Sequence, residues 1–294
     1  MRVLTDRLAA ALRQRFAVLA AFGVCSFVAV AIGAYICALS GVPSALWIRN
    51  LAAWGVGAVL AFGLAHVRQS EVLHIALWAA PLALLVTFLS PAQEGVHRWI
   101  DAGPLHINAA MLTLPAASVA LAALSREHVW AWGASFAALA LLVLQPDASQ
   151  ATTLAAVMVA IAAPASSRPL LRFAVIAGAV ALATLAWFQR DPLQPVPEVE
   201  DIIELAFAIA PALALAALAA LLLTAISAQA PMGAQRETPR TAAWALSLCF
   251  LAWVATPYFG AYPVPWVGIG LSPIIGAWLG IGLLATLRRE SALN

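Results

Sequence analysis

The chain contains no lysine; all fifteen of its basic residues are arginine. Charged residues of either sign make up only 10% of its 294 residues, against about 25% in an ordinary soluble domain. So little charge cannot keep a chain that is 64% hydrophobic dissolved in water. A formal net charge of +2 is too small to point to a nucleic-acid partner. Cysteine is scarce as well: Cys25, Cys37 and Cys249 all sit inside apolar stretches, with no metal-type spacing. If Cys25 and Cys37 share a helix they stand about 18 Å apart, too far for a disulfide. All three read as small embedded hydrophobes. A glycine-rich nucleotide loop, a Ser-His-Asp arrangement and a zinc pattern are missing too.

What is present is a succession of apolar blocks. About 20 apolar residues carry a helix across the roughly 30 Å hydrocarbon layer of a bilayer. Spans are expected near 16–40, 46–67, 73–90, 105–124, 128–144, 150–165, 170–189, 202–228, 241–259 and 268–288. The fold class is therefore an all-α polytopic transmembrane bundle of about ten spans. The pieces at 128–144 and 150–165 are short enough to be tilted or partly re-entrant. The first apolar run outlasts the roughly 7–15 residues of a cleavable signal peptide, so it reads as a retained anchor.

The arginines give an orientation. Arg2, Arg7, Arg13 and Arg15 precede the first span, and Arg68, Arg126, Arg168, Arg172, Arg236, Arg240, Arg288 and Arg289 fall on the same side of a ten-span chain. Only Arg49, Arg98 and Arg190 remain opposite, which places the N-terminus in the cytoplasm. The expectation is a single integral membrane domain over 1–294: a basic cytoplasmic segment to residue 15, a bundle over 16–288 and a short cytoplasmic tail from 289. Its outer connections are Pro91–Pro104, Gln145–Ser149, Arg190–Asp201 and Pro257–Gly270, and Gln229–Thr241 is an inner loop.

Four segments could carry chemistry. Gln93–Pro104 holds Glu94, His97, Arg98, Trp99 and Asp101. The planar fork of Arg98 suits a carboxylate or phosphate. It equally suits an interfacial anchor, with Trp99 in an aromatic belt and Arg98 paired locally with Asp101. In Leu144–Gln150, Pro146 ends a helix and Asp147 or Ser149 is placed to cap the next. Pro195–Glu204 gathers Glu198, Glu200, Asp201 and Glu204 at the mouth of a long apolar helix. Asp201 and Glu204 fit a capping pair. Clustered carboxylates also raise each other's pKa and can act as a base or hold a divalent cation. Finally, Tyr258–Pro273 has too much glycine and proline for a straight helix, yet it is apolar. Either it is a broken segment buried at membrane depth or an aromatic outer loop. His66, His74, His106 and His128 stand singly near span ends and read as interfacial.

In this order the segments resemble the SEDS family (shape, elongation, division and sporulation) of bacterial membrane proteins. Gly95-Val96-His97-Arg98-Trp99-Ile100 is similar to the family's G-x-x-R-W-I loop, and Leu144-Gln145-Pro146-Asp147 matches its L-Q-P-D turn. Phe188-Gln189-Arg190 resembles the start of its large outer loop. Pro197-Glu198-Val199-Glu200-Asp201-Ile202-Ile203 resembles P-E-x-H-T-D-F-I with one residue fewer. Pro263–Ser272 is similar to the segment before the last helix.

The resemblance implies a ten-helix peptidoglycan glycosyltransferase acting on lipid II or a related undecaprenyl-pyrophosphate glycan, in cell division or cell-shape maintenance. It implies Asp201 as catalytic base or, if a cation such as Mg or Mn is used, as its ligand. Arg98, Asp147, Glu198 and Glu200 would bind substrate, and a single-pass transpeptidase, a class B penicillin-binding protein, would be the partner. The location implied is the bacterial inner membrane. The chain also departs from the family. Asn108–Leu114 lacks the charges of the corresponding family turn, and Ile209 and Ala210 stand where two glutamates are expected. The outer loop before Asp201 is shorter by several tens of residues. A non-catalytic relative that binds a lipid carrier or scaffolds a division or elongation complex is therefore the alternative, with a lipid flippase a third.

Overall fold

The computed structural model describes residues 2–103, 105–164, 168–230 and 237–293, with side chains for all of these except 2–12, 69–71 and 290–293. Pro104, residues 231–236 with Arg236, and the side chains of Arg2 and Arg7 thus lie outside the described residues. The helices are α1 (Arg2–Leu39), α2 (Ser44–Leu64), α3 (Gln69–Thr87), α4 (Ala109–Leu124), α5 (Trp130–Leu144) and α6 (Ala148–Ala162). They continue as α7 (Pro169–Trp187), α8 (Ile202–Ile209), α9 (Pro211–Ile226), α10 (Glu237–Ala255) and α11 (Leu271–Leu293). Six helical segments are long and apolar enough to cross a membrane, and four shorter apolar helices stand among them. The protein is a multi-pass helical membrane protein.

Two boundaries differ from expectation. The block expected to start at 105 begins instead with strand β2 (Leu105–Asn108), antiparallel to β1 (Trp99–Ala102), with Trp99 opposite Asn108. Helix α4 starts only at Ala109, because the Asn108 side chain accepts the Met111 amide at 2.9 Å and caps it. The block expected as one helix over 202–228 is two. Ala210, which precedes Pro211, is extended at φ −163° and ψ 131°. Proline disfavours the helical region for the residue before it, then serves as the first residue of the next helix.

Helix α11 is the axle of the bundle, packed on α1, α2, α4 and α10. Gly276 and Gly280 allow α4 to come so close. A Cβ on Gly276 would sit 2.1 Å from the Met111 carbonyl oxygen, and one on Gly280 would meet Pro115 at 2.8 Å. Small residues one turn apart are how helices approach closely when water supplies no driving force between them. Trp278 fills the opposite side, edge-on to Phe22 and Trp54.

The Gly- and Pro-rich stretch after α10 is irregular, exposed at Tyr258 and Phe259 and largely buried from Tyr262 to Val267. Tyr262 is 5% exposed, and Trp266 and Val267 are fully enclosed. Trp266 packs against Phe22, Phe250 and Trp253. Its backbone groups find partners within the protein: Val264 N–H donates to Val199 O at 3.0 Å and Ile269 N–H to Glu198 O at 2.9 Å. Asn50 in α2 clamps the end of the stretch, donating to Gly268 O at 2.9 Å and accepting from Gly270 N at 3.1 Å. From Tyr262 onward the stretch is the broken, protein-buried segment of one sequence reading, while Tyr258 and Phe259 keep the exposed aromatic character of the other.

Helix order sorts the charges. The starts of α4, α6, α8 and α11 and the end of α7 gather at one end with Arg49, Arg98 and Arg190. The starts of α7 and α10 and the ends of α2, α4, α6 and α11 gather at the other. This Arg-rich end carries Arg13, Arg15, Arg68, Arg126, Arg168, Arg172, Arg240, Arg288 and Arg289.

Candidate functional site

Arg98 leads into β1, yet it is only 5% exposed. Its Nη2 donates to Asp191 Oδ2 at 2.7 Å and to the Pro146 carbonyl, and its Nε lies 3.4 Å from the Gln145 carbonyl. Asp147 Oδ2 stands 3.7 Å from Nε. Nη1 makes no hydrogen bond within the described residues. The local pairing of Arg98 with Asp101 is thus overturned, because Asp101 bonds His106 across the hairpin at 2.6 Å. Arg98 is turned inward by groups distant in sequence.

Asp147 caps α6 as expected, accepting the Gln150 amide at 3.1 Å. Burial pushes its carboxyl above the usual range, while Arg98 and that amide hold it back. For Arg98, burial alone would lower the pKa, but the charges of Asp147 and Asp191 outweigh it and hold the guanidinium charged. Gln145 locks the arrangement from behind, donating to Thr87 Oγ1 at 2.6 Å and to Leu84 O at 3.0 Å. Thr87 Oγ1 in turn lies 2.8 Å from the carbonyl of His97, the residue before Arg98. Gln150 receives the Trp253 indole N–H at 2.8 Å, tying α6 to α10.

The acidic segment faces this network across a cavity of about 120 Å³ lined by Arg98, Asp147, Ser149, Gln150, Glu200 and Tyr262. A second cavity of about 340 Å³ adjoins it through Trp99, Asn108, Met111 and Glu200 and continues between mainly apolar walls including Leu46, Ile269 and Leu271, with Arg49 and His106 also lining it. Together they make a groove, charged at one end and apolar along the other. Glu200 stands where they meet. Its Oε2 accepts the Val196 amide at 2.7 Å. Burial, reinforced by Asp201 and Glu198 and opposed by that amide, raises its pKa from 4.5 to about 7.

The structure therefore brings Arg98, Asp147 and Glu200 together. Asp201 and Glu198 line neither cavity. Asp201 is half-buried at the start of α8 and makes no side-chain capping bond, so the expected capping pair with Glu204 does not form. Glu200 instead reaches back into its own turn. Among the described residues no three Asp, Glu, His or Cys side chains gather as a metal cage. A cation held at Asp201 would need phosphate oxygens from a ligand to complete its shell. Sequence reading missed Asp191, Asn50, Gln145 and Gln150 as parts of the site. Gln145 carried a signal inside the L-Q-P-D match, Gln150 closes the Leu144–Gln150 segment that holds it, and Asp191 directly follows the Phe188-Gln189-Arg190 match.

No family model and no curated protein matches the chain. Solved structures do. The rod shape determining protein RodA of Thermus thermophilus superposes with a TM-score of 0.54 at 19% identity, over 92% of this chain and 96% of that one. A structure described as "Structural coordination of polymerization and crosslinking by a peptidoglycan synthase complex" gives 0.59 at 20% identity, over 92% of this chain and 97% of that one. The chain has the fold of these RodA-type membrane proteins, the fold that the sequence motifs resemble.

Proposed function

We propose that the chain is a divergent SEDS-type glycosyltransferase that acts on an undecaprenyl-pyrophosphate-linked glycan, such as lipid II, in cell division or cell-shape maintenance. The observation that supports this reading best is the groove: a buried, charged arginine at one end and a long apolar wall at the other. A lipid-linked pyrophosphate sugar has that polarity. The two cavities together fall within the roughly 300–1,000 Å³ of ordinary ligand sites. Arg98 would offer Nη1 to a pyrophosphate oxygen, with Asp147 and Asp191 fixing the fork.

In the reaction, the attacking 4-hydroxyl of the acceptor loses its proton to a carboxylate at the groove mouth. The new glycosidic bond forms as the anomeric carbon–oxygen bond to pyrophosphate breaks, and the lipid pyrophosphate leaves with the electron pair. Asp201 is the base implied by the resemblance, and Glu200 is the carboxylate on the cavity wall. A positioned base contributes about 10²–10⁴-fold to rate. The location proposed is the bacterial inner membrane with the N-terminus cytoplasmic, and the partner a single-pass transpeptidase.

The competing reading is a non-catalytic lipid-carrier-binding or scaffold protein. It draws support from the short 190–201 connection, from Asp201 lying off both cavity walls and from the inward pairing of Arg98. The test is glycan polymerisation by purified protein given lipid II and a divalent cation, comparing wild type with Asp201→Ala and Glu200→Gln. Loss of product in either variant identifies the base. Equal product from all three removes both carboxylates from the chemistry. Lipid II binding without product in wild type establishes the scaffold reading.

A further inference from the structure

At the Arg-rich end, away from the groove, a cavity of about 320 Å³ opens between the ends of α4 and α6 and the starts of α7 and α10. Its mouth carries Arg126, Arg168 and Arg172, with one acid, Glu237. Glu237 is taken up by Arg126 in an exposed ion pair. Arg168 and Arg172 have no acidic partner among the described residues.

Their placement is unfavourable in the protein alone. Arg168 is the N-cap of α7 and Arg172 lies in its first turn, so two like charges stand close together at one helix end, where they repel. They also flank the first turn of α7, the end of a helix at which a cation is least welcome. The Arg168 side chain makes no cap, and Pro169 has no N–H, so the amides of Leu170 and Leu171 are left as donors. One more polar group waits inside. Ser125 lines the same cavity at 6% exposure, and its hydroxyl has no hydrogen-bond partner among the described residues. Arg168, Arg172, Leu171 and Ser125 all line this one cavity, so an anion in its mouth would meet donors from both α7 and the end of α4.

Below the charges the wall is apolar. Ala122, Ile161 and Val175 line it, and Val175 lies seven residues into the helix from Arg168, about 10 Å deeper at 1.5 Å per residue. We propose that this cavity binds a phosphate-bearing ligand, its phosphate between Arg168, Arg172 and Ser125. The apolar lower wall favours an anionic phospholipid, headgroup in the mouth and chain against α4 and α7, over a free phosphate ion. Basic pockets between membrane helices are a recurrent way to hold such headgroups. The site is separate from the groove and does not depend on the activity proposed for it.

The experiment is native mass spectrometry and thermal-shift titration of the detergent-solubilised full chain with phosphatidylglycerol, phosphatidylcholine and inorganic phosphate. Arg168→Gln/Arg172→Gln and Ser125→Ala are the test variants. Arg240→Gln, on the same end but off the cavity wall, is the control. Wild type and Arg240→Gln should bind phosphatidylglycerol alike, with the double variant about tenfold weaker or more and Ser125→Ala a few-fold weaker. Should the double variant fail to fold, Ser125→Ala carries the comparison. Preference for phosphatidylglycerol over inorganic phosphate identifies the lipid source, and equal binding identifies a free phosphate site. Binding that neither variant weakens, or that is equal for phosphatidylcholine and phosphatidylglycerol with no response to phosphate, overturns the proposal.

Discussion

Replacing Arg98 by methionine tests whether the charged end of the groove is a buried network or a loose surface contact. The change keeps an unbranched apolar stem and removes the guanidinium with its charge. Arg98 and Asp147 are 5% and 3% exposed, with Nε and Oδ2 3.7 Å apart. At an effective dielectric constant near 20, that separation corresponds to roughly 4 kcal/mol of attraction. Asp191, closer but more exposed, adds a screened share. Desolvation of the charges cancels much of this gain, so the pair's net worth is small. Removing one partner is a different matter: it strands a buried carboxylate and two carbonyls, at a cost of about 3–5 kcal/mol. Asp147→Asn loses the charge but keeps an oxygen for the Gln150 amide, so α6 stays capped. Arg98→Met should therefore be far more destabilising in the wild-type background than with Asp147→Asn, with a coupling of about 1.5–3 kcal/mol. Unfolding followed in nanodiscs or mixed micelles across the four proteins measures it. A cycle additive within about 0.5 kcal/mol, or an Arg98→Met cost below about 1 kcal/mol, would refute the network.

Glu200→Gln should alter the pH dependence of stability. Because the folded carboxyl titrates near 7 and not at 4.5, its stabilisation is full below about pH 4.5 and lost as pH rises through about 7. Thermal scans should show wild type losing stability between pH 5 and 8 relative to the glutamine variant, by an amount reduced by solvent screening; parallel profiles would place Glu200 outside the cavity wall. Gly276→Ala drives a Cβ into the Met111 backbone and should cost about 3 kcal/mol or more, whereas Gly55→Ala meets open space and should be neutral or stabilising by about 0.5–1 kcal/mol. Equal melting temperatures for those two variants would contradict the close approach of α4 and α11. Gln150→Leu leaves the buried Trp253 indole N–H without its acceptor and should cost about 1–3 kcal/mol in the same unfolding assay, with red-shifted tryptophan emission if water enters to replace it.

The membrane class and the helix blocks were legible because lipid leaves few alternatives: an apolar run of the right length closes its backbone bonds internally as a helix. The Asp147 cap was legible because Pro146 ends one helix and an N-cap acceptor follows at once. The break at Ala210–Pro211 was hidden by the continuous hydropathy on either side, although proline's constraint on its predecessor was available in the sequence. The pairing of Arg98 could not be read locally. Its partners, Asp147 and Asp191, are 49 and 93 residues away, and only tertiary packing decides between them and the nearer Asp101. Asn50 gave no signal at all, since a lone amide in an apolar helix fits many partners, and its own lies 218 residues on.

The most instructive difference concerns the acids. Matching by residue type selects Asp201, yet Glu200 is the carboxylate on the cavity wall. The turn explains this. The Val196 carbonyl accepts the amides of both Val199 and Glu200, and Val199 and Glu198 are pinned through their carbonyls to Val264 and Ile269. With residues 198 and 199 fixed against the buried stretch, the next side chain, Glu200, meets the groove, and Asp201 passes on to the start of α8. Neighbouring acids in one turn need not face the same way, and here Glu200 lines the cavity while Asp201 does not. Local sequence keeps the acids together, but the backbone bonds to the Pro263–Ile269 stretch choose among them.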